Sequence, residues 1–180
     1  MYRTLSLALP LALSFVLNHA HAHSAPPAKA TPLETFAATA LFGALLAGSA
    51  EAGDSELDKK VTRCLGAHDG AAMVDVVRNY QTRQFNGADR ASLNAFLASG
   101  AGTKYAKNRL LTEMASDDTP AAAPVSGLLP LSPEEAGQVQ EYLATPLGKR
   151  LDSDEVLGDA ETVQAVVLRG MKLMVACLQS

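Results

Sequence analysis

After residue 22 no stretch alternates apolar and polar residues as a half-buried strand would, so the chain lacks the signal of a sheet. No run there reaches the roughly 20 apolar residues of a membrane-spanning helix. The run FAATALFGALLA, Phe36 to Ala47, amounts to about three helical turns. A basic excess is missing too: 15 Lys and Arg stand against 19 Asp and Glu, dispersed along the chain. Nucleic acid calls for a basic face, so it is not an expected partner. With two cysteines, Cys64 and Cys177, and few histidines, the chain offers no metal-ligand spacing, and neither a metal nor a cofactor is expected. No serine has a nucleophile-elbow context. The order Gly-Lys-Ser/Thr of a phosphate loop does not occur at SGAGTK.

What is present begins with an export signal. Arg3 supplies a positive charge, LSLALPLALSFVL from Leu5 to Leu17 is a short apolar core, and Ala20-His21-Ala22 gives the small-x-small pattern of signal peptidase. Residues 1–22 are therefore expected to be removed near Ala22, leaving a periplasmic or secreted protein. No cysteine follows the apolar core, so a lipid anchor is not expected. The mature 158 residues carry 14 basic and 19 acidic side chains, net −5, and suffice for one domain. In an oxidising compartment the two cysteines predict one disulfide, Cys64–Cys177. On the chain-entropy view a link closing so long a loop stabilises by about 4–5 kcal/mol.

Residues 23–30, HSAPPAKA, have nothing to bury and are expected to be a disordered tail. From residue 31 to 180 the pattern predicts one all-α domain, a bundle of about seven helices. Thr31-Pro32-Leu33-Glu34 and Ser132-Pro133-Glu134-Glu135 both read as cap, Pro at the first helical position and Glu reaching back. Leu57, Val61, Cys64 and Leu65 share a face, with Cys64 pointing inward. Asp69 is expected to open a helix whose inner side holds Met73, Val76, Val77, Tyr80 and Gln84, ending at Asn86-Gly87. Residues 101–116 bury Tyr105, Leu110 or Leu111, and Met114. The last helix, about 159–178, is expected to present Val163, Val167, Gly170, Met174 and Cys177 as one stripe. Between them, residues 117–131 are rich in Pro and Ala and read as a surface loop.

One phrase is written twice, 46 residues apart. Asp89 aligns with Glu135, Leu93 with Val139, Phe96 with Tyr142, Ser99 with Thr145, Gly100 with Pro146, Gly102 with Gly148, and Lys104 with Arg150. The hydroxyl residue leaves one helix and caps the next. Glycine inside a helix costs about 1 kcal/mol against Ala, so its repetition implies close contact. Each copy is thus expected to be a helix–turn–helix elbow built on Phe96, Ser99, Gly102 and Lys104, or on Tyr142, Thr145, Pro146, Gly148 and Arg150. A competing reading makes Lys104 and Arg150 anion ligands at helix N-termini. The sequence Tyr142 to Arg150, after its acidic helix start, resembles exported bacterial helical proteins grouped as a domain of unknown function. Phe96 to Lys104 departs from that pattern in having Gly100 where proline is usual. The resemblance, over about residues 85–151, implies an exported helical protein and no catalytic residue.

The remaining polar clusters read as structural. Asp152, Asp154, Glu155, Asp159 and Glu161 miss the calcium-loop pattern, since Leu157 and Val163 stand where Gly and Glu are needed. His68-Asp69 is a surface histidine beside a cap, and His23 lies in the tail. No catalytic residue is therefore assigned. The expected function is a non-catalytic envelope module binding a protein partner or an apolar ligand, with a periplasmic inhibitor or immunity-type protein as the specific form. A cell-wall enzyme using carboxylates is the contrasting class. Two facing carboxylates in a cleft would favour the enzyme, and an exposed apolar groove the binding module.

Overall fold

The computed structural model describes residues 29–50, 55–116 and 125–179. The expected leader, residues 23–28 of the tail, residues 117–124 of the loop and the Met114 side chain lie outside the described residues. Within them the chain is all-α, a single-domain bundle with no strand. The described residues form eight α-helices, in keeping with the expected bundle: α1 Pro32–Ala50, α2 Glu56–Gly66, α3 Val74–Gln84, α4 Gly87–Ala98, α5 Gly100–Ser116, α6 Pro133–Ala144, α7 Pro146–Asp152 and α8 Ala160–Gln179.

The helix starts follow from their caps. Thr31 Oγ1 accepts from the Glu34 amide at 3.3 Å, while the Thr31 amide donates to the Glu34 carboxylate at 2.9 Å. Ser132 and Glu135 form the same reciprocal pair at α6, and Ser55 and Asp58 do so at α2. Asp69 caps a 3₁₀ turn, Gly70–Met73, and not the long helix the sequence suggested. Gly70 explains the turn. A Cβ there would stand 2.8 Å from the Thr39 amide nitrogen, so α1 and the turn meet backbone to backbone.

Helix α1 is apolar on nearly every side and touches α2, α3, α4, α5 and α8, which makes it the central post. Its first half joins the larger core group with Phe85, Leu93, Leu97, Val139, Leu151 and Val156. Its second half packs with Met73, Val77 and Val166. Fully buried leucines such as Leu93 and Leu151 each stabilise by about 1.5–3 kcal/mol. One charge goes inside with them: Glu34 is buried and receives both Nε and Nη2 of Arg78, at 2.8 and 3.0 Å. Burial alone would raise the Glu34 carboxyl. The Arg78 guanidinium and the Thr31 amide outweigh it and hold the group below its ordinary value.

Two inward faces differ from the sequence reading. Gln84 is exposed, and Gln81 is the buried residue, donating to the Val156 carbonyl at 3.1 Å. Phe85, the cap residue of α3, is buried as well. In α8 the buried side is Thr162, Val166, Gly170 and Cys177, so Val163 and Val167 face away from the core. The described end of the 117–131 loop is stitched to α5. Asn108 donates to the Leu129 carbonyl at 2.9 Å and accepts from its amide at 2.7 Å.

Candidate functional site

The repeated phrase forms two elbows of one design. α4 stops at Ala98 and α5 starts at Gly100, with only Ser99 extended between them (φ −70°, ψ 161°). Ser99 Oγ donates to the Phe96 carbonyl at 2.7 Å and accepts from the Gly102 amide at 3.0 Å. Thr145 does the same between α6 and α7, at 2.7 Å to Tyr142 and 2.9 Å from Gly148. One hydroxyl therefore closes one helix and opens the next. So sharp a turn leaves no room inside it. A Cβ on Gly102 would collide with the Phe96 carbonyl oxygen, and one on Gly148 with the Tyr142 carbonyl oxygen.

The elbows also hold each other. The Phe96 and Tyr142 rings stack at 3.9 Å between centroids and 2° between planes. Lys104 of the first elbow reaches Glu135 of the second at 2.7 Å, and the Pro130 carbonyl at 3.2 Å. Lys104 holds the Glu135 carboxyl below its ordinary value. Arg150 lies 4.0 Å over the Phe85 ring and pairs with Glu155 at 2.7 Å. Both cations put forward as anion ligands already face a carboxylate, and the elbow glycines already donate to Ser99 and Thr145.

The acidic run is likewise engaged. Arg109 donates to the Leu151 and Asp152 carbonyls, both at 2.8 Å, closing the C-terminus of α7, and it pairs with Asp154. Asp159 accepts from the Thr162 amide at 2.8 Å and its hydroxyl at 2.7 Å, which places it at the start of α8. Those hydrogen bonds hold the Asp159 carboxyl below its ordinary value. Glu161 stands 3.5 Å from Arg83. Asp69 is the cap of the 3₁₀ turn, accepting from the Ala71 amide, and does not orient His68 as a base.

An open apolar trough lies elsewhere, between α1, α2 and α8. It encloses about 680 Å³ and is walled by Leu41, Leu45, Leu57, Val61, Val163, Val167, Met174 and Leu178, with Asp58 as its one carboxylate. That carboxylate already closes the N-terminal cap of α2 with Ser55. Leu57 is 57% exposed, Val163 48% and Val167 43%, far from core values. The apolar surface continues past the trough over Leu168, Met171 and Val175, each also about half exposed. The predicted disulfide is present: Cys64 of α2 joins Cys177 of α8, with Cα atoms 5.7 Å apart. It fixes one wall of the trough to another.

This surface was missed in the sequence because α8 was assigned one inward stripe. Its apolar residues are too many for that: 163, 166, 167, 168, 171, 173, 174, 175 and 178 cover more than half of the circumference. Counting that excess would have found the second face. Apart from Asp58 and Thr62 the lining of the trough is apolar, and the Asp58 carboxylate is engaged by the Ser55 hydroxyl. Among the described residues, no helix is long and apolar enough to cross a membrane. The disulfide and that finding are compatible with an exported protein. In comparison with known proteins, the chain matches no family model, no curated protein and no solved structure.

Proposed function

We propose that this is an exported, non-catalytic protein of the bacterial envelope that docks the apolar face of a partner protein's helix in the α1–α2–α8 trough. The observation carrying the reading is the exposed apolar face of α8, which runs on from the trough wall at Val163 and Val167 to Leu168, Met171 and Val175. A single small ligand would be covered by the trough alone, whereas a helix laid along α8 covers both. From Val163 to Leu178 the wall is about 22 Å long at 1.5 Å per residue, the length of a four-turn helix. Three helices bound the trough, and a fourth completes a bundle of ordinary form.

An inhibitor or immunity-type role is a special case of the same docking. Kinship with the exported helical proteins that Tyr142–Arg150 resembles belongs to the same proposal. The carboxylate-enzyme alternative draws less support, since the acidic side chains from Asp152 to Glu161 already serve arginines or helix caps. The test is a photoreactive residue at Val167, incorporated in the exporting cell. A discrete protein adduct, lost when Val163 and Met171 are both changed to Asp, is the expected result. A lipid adduct, a cross-link within the chain or between two copies, or an adduct indifferent to those changes would overturn the reading.

A further inference from the structure

Cys64, Cys177 and His68 form a cluster that the trough does not use. Each offers one ligand atom, and the three atoms all lie within 4.8 Å of one another. His68 follows Cys64 by four residues, one helical turn. The backbone keeps turning past the end of α2, with the Ala67 N–H donating to the Cys64 carbonyl at 3.1 Å and the His68 N–H to the Leu65 carbonyl at 2.9 Å. Cys177 comes from the far end of the chain on α8. Among the described residues the His68 imidazole has no hydrogen-bond or ion-pair partner, so nothing directs it elsewhere.

We infer that the reduced protein binds a thiophilic metal ion, zinc foremost, through the Cys64 and Cys177 thiolates and the His68 imidazole. Tetrahedral zinc takes sulfur at about 2.3 Å and imidazole nitrogen at about 2.0–2.1 Å, so its two sulfurs and one nitrogen stand roughly 3.5–3.8 Å apart. The three atoms, already within 4.8 Å of one another, are close to that spacing before the sulfur–sulfur bond is broken. The ligands are graded in exposure: Cys177 is buried, Cys64 half-buried and His68 exposed. The fourth position therefore faces solvent and takes a water. While oxidised the pair offers no thiolate, so the site exists in one redox state only.

The reductant is a dithiol. Its thiolate attacks the more accessible Cys64 sulfur, the disulfide breaks and Cys177 leaves as the thiolate. The second thiol of the reductant then displaces Cys64 and closes the reductant's own disulfide. Two electrons pass to the protein, leaving two cysteine thiols. Zinc binding releases their two protons and restores a link between α2 and α8.

The mature full chain, reduced anaerobically with the reductant then removed, is titrated with cobalt(II) and then zinc, with far-ultraviolet circular dichroism recorded alongside. One equivalent of cobalt should give thiolate charge-transfer absorption and intense tetrahedral d–d bands, both removed by zinc. The oxidised chain should give neither. His68→Ala should weaken zinc by about tenfold or more and shift the d–d bands, whereas His68→Cys should keep tight tetrahedral binding. Absence of cobalt bands in the reduced chain overturns the inference. So does a His68→Ala protein with unchanged bands and affinity, which would also be the result if the reduced chain were unfolded and bound cobalt through its thiols alone.

Discussion

The elbow half of the molecule, α4 to α7, and the α1–α2–α8 side solve the same problem in opposite ways. In the first, two copies of one joint interlock through the stacked Phe96 and Tyr142 rings and the Lys104–Glu135 bridge, over a core that buries Leu93, Leu97, Val139 and Leu151. In the second, α2 contributes a single buried residue, Leu65, and is secured by one covalent bond. Its neighbours leave leucine, valine and methionine in water, at about 25 cal/mol per Å² of apolar area not buried. Monomeric proteins rarely keep so continuous an apolar face idle. The elbow side holds itself by interlocked side chains, whereas the other side leaves an apolar face uncovered, the one on which the proposed docking rests.

That contrast can be broken by experiment. The largest effect should follow Cys64→Ser with Cys177→Ser, a loss of about 2–5 kcal/mol in urea unfolding. Native-state hydrogen exchange should then show α2 amides losing protection first, with α4–α7 nearly unchanged; uniform loss would mean that the two regions are equally held. Gly148→Leu should cost about 2–4 kcal/mol, because the side chain must displace the Tyr142 carbonyl. Gly137→Ala is its control: Gly137 is helical with nothing near its Cβ position, and the change should stabilise by up to about 1 kcal/mol. If both substitutions stabilise, the elbow glycines are not packing residues.

A subtler test uses acid. The Glu34 carboxyl sits below its ordinary value when folded, so its contribution is present above the unfolded value, about 4.3, and is lost as pH falls through the folded one. Glu34→Gln should therefore be less stable than the parent near neutrality and should approach it in acid, by thermal melting across that range. Smallest of all, Val167→Asp should change stability by no more than about 0.5 kcal/mol, since the residue already faces water. The same change should abolish partner capture at the trough, and a large drop in melting temperature would instead make Val167 a core residue.

Much of the scaffold could be read from residues alone because its signals are local. Thr31 with Glu34 and Ser132 with Glu135 are caps whose partners lie three positions away, and the doubled Ser99/Gly102 and Thr145/Gly148 pairs mark their own geometry. The disulfide was legible because only one pairing exists. The stacking of Phe96 on Tyr142, the Glu34–Arg78 pair and the approach of His68 to Cys177 depend on how distant helices dock, and no spacing in the chain encodes them. The trough was illegible for a related reason. A helix apolar over two adjacent stripes looks like a better-buried helix until the neighbour it lacks is seen.

Helix α2 is, in mechanical terms, a cantilever. Its bolt is Cys64 in the last turn, beside its one buried side chain, and its N-terminal end carries Leu57, about 10 Å away along the axis. A beam fixed at one end is stiff at the root and compliant at the tip. On that anchoring the wall at Leu57 and Val61 is expected to yield more readily than the floor on α1 and α8, which hydrogen exchange along α2 would show. Under the proposed docking, helices of different girth would be accepted in one register, set by the floor on α1 and α8.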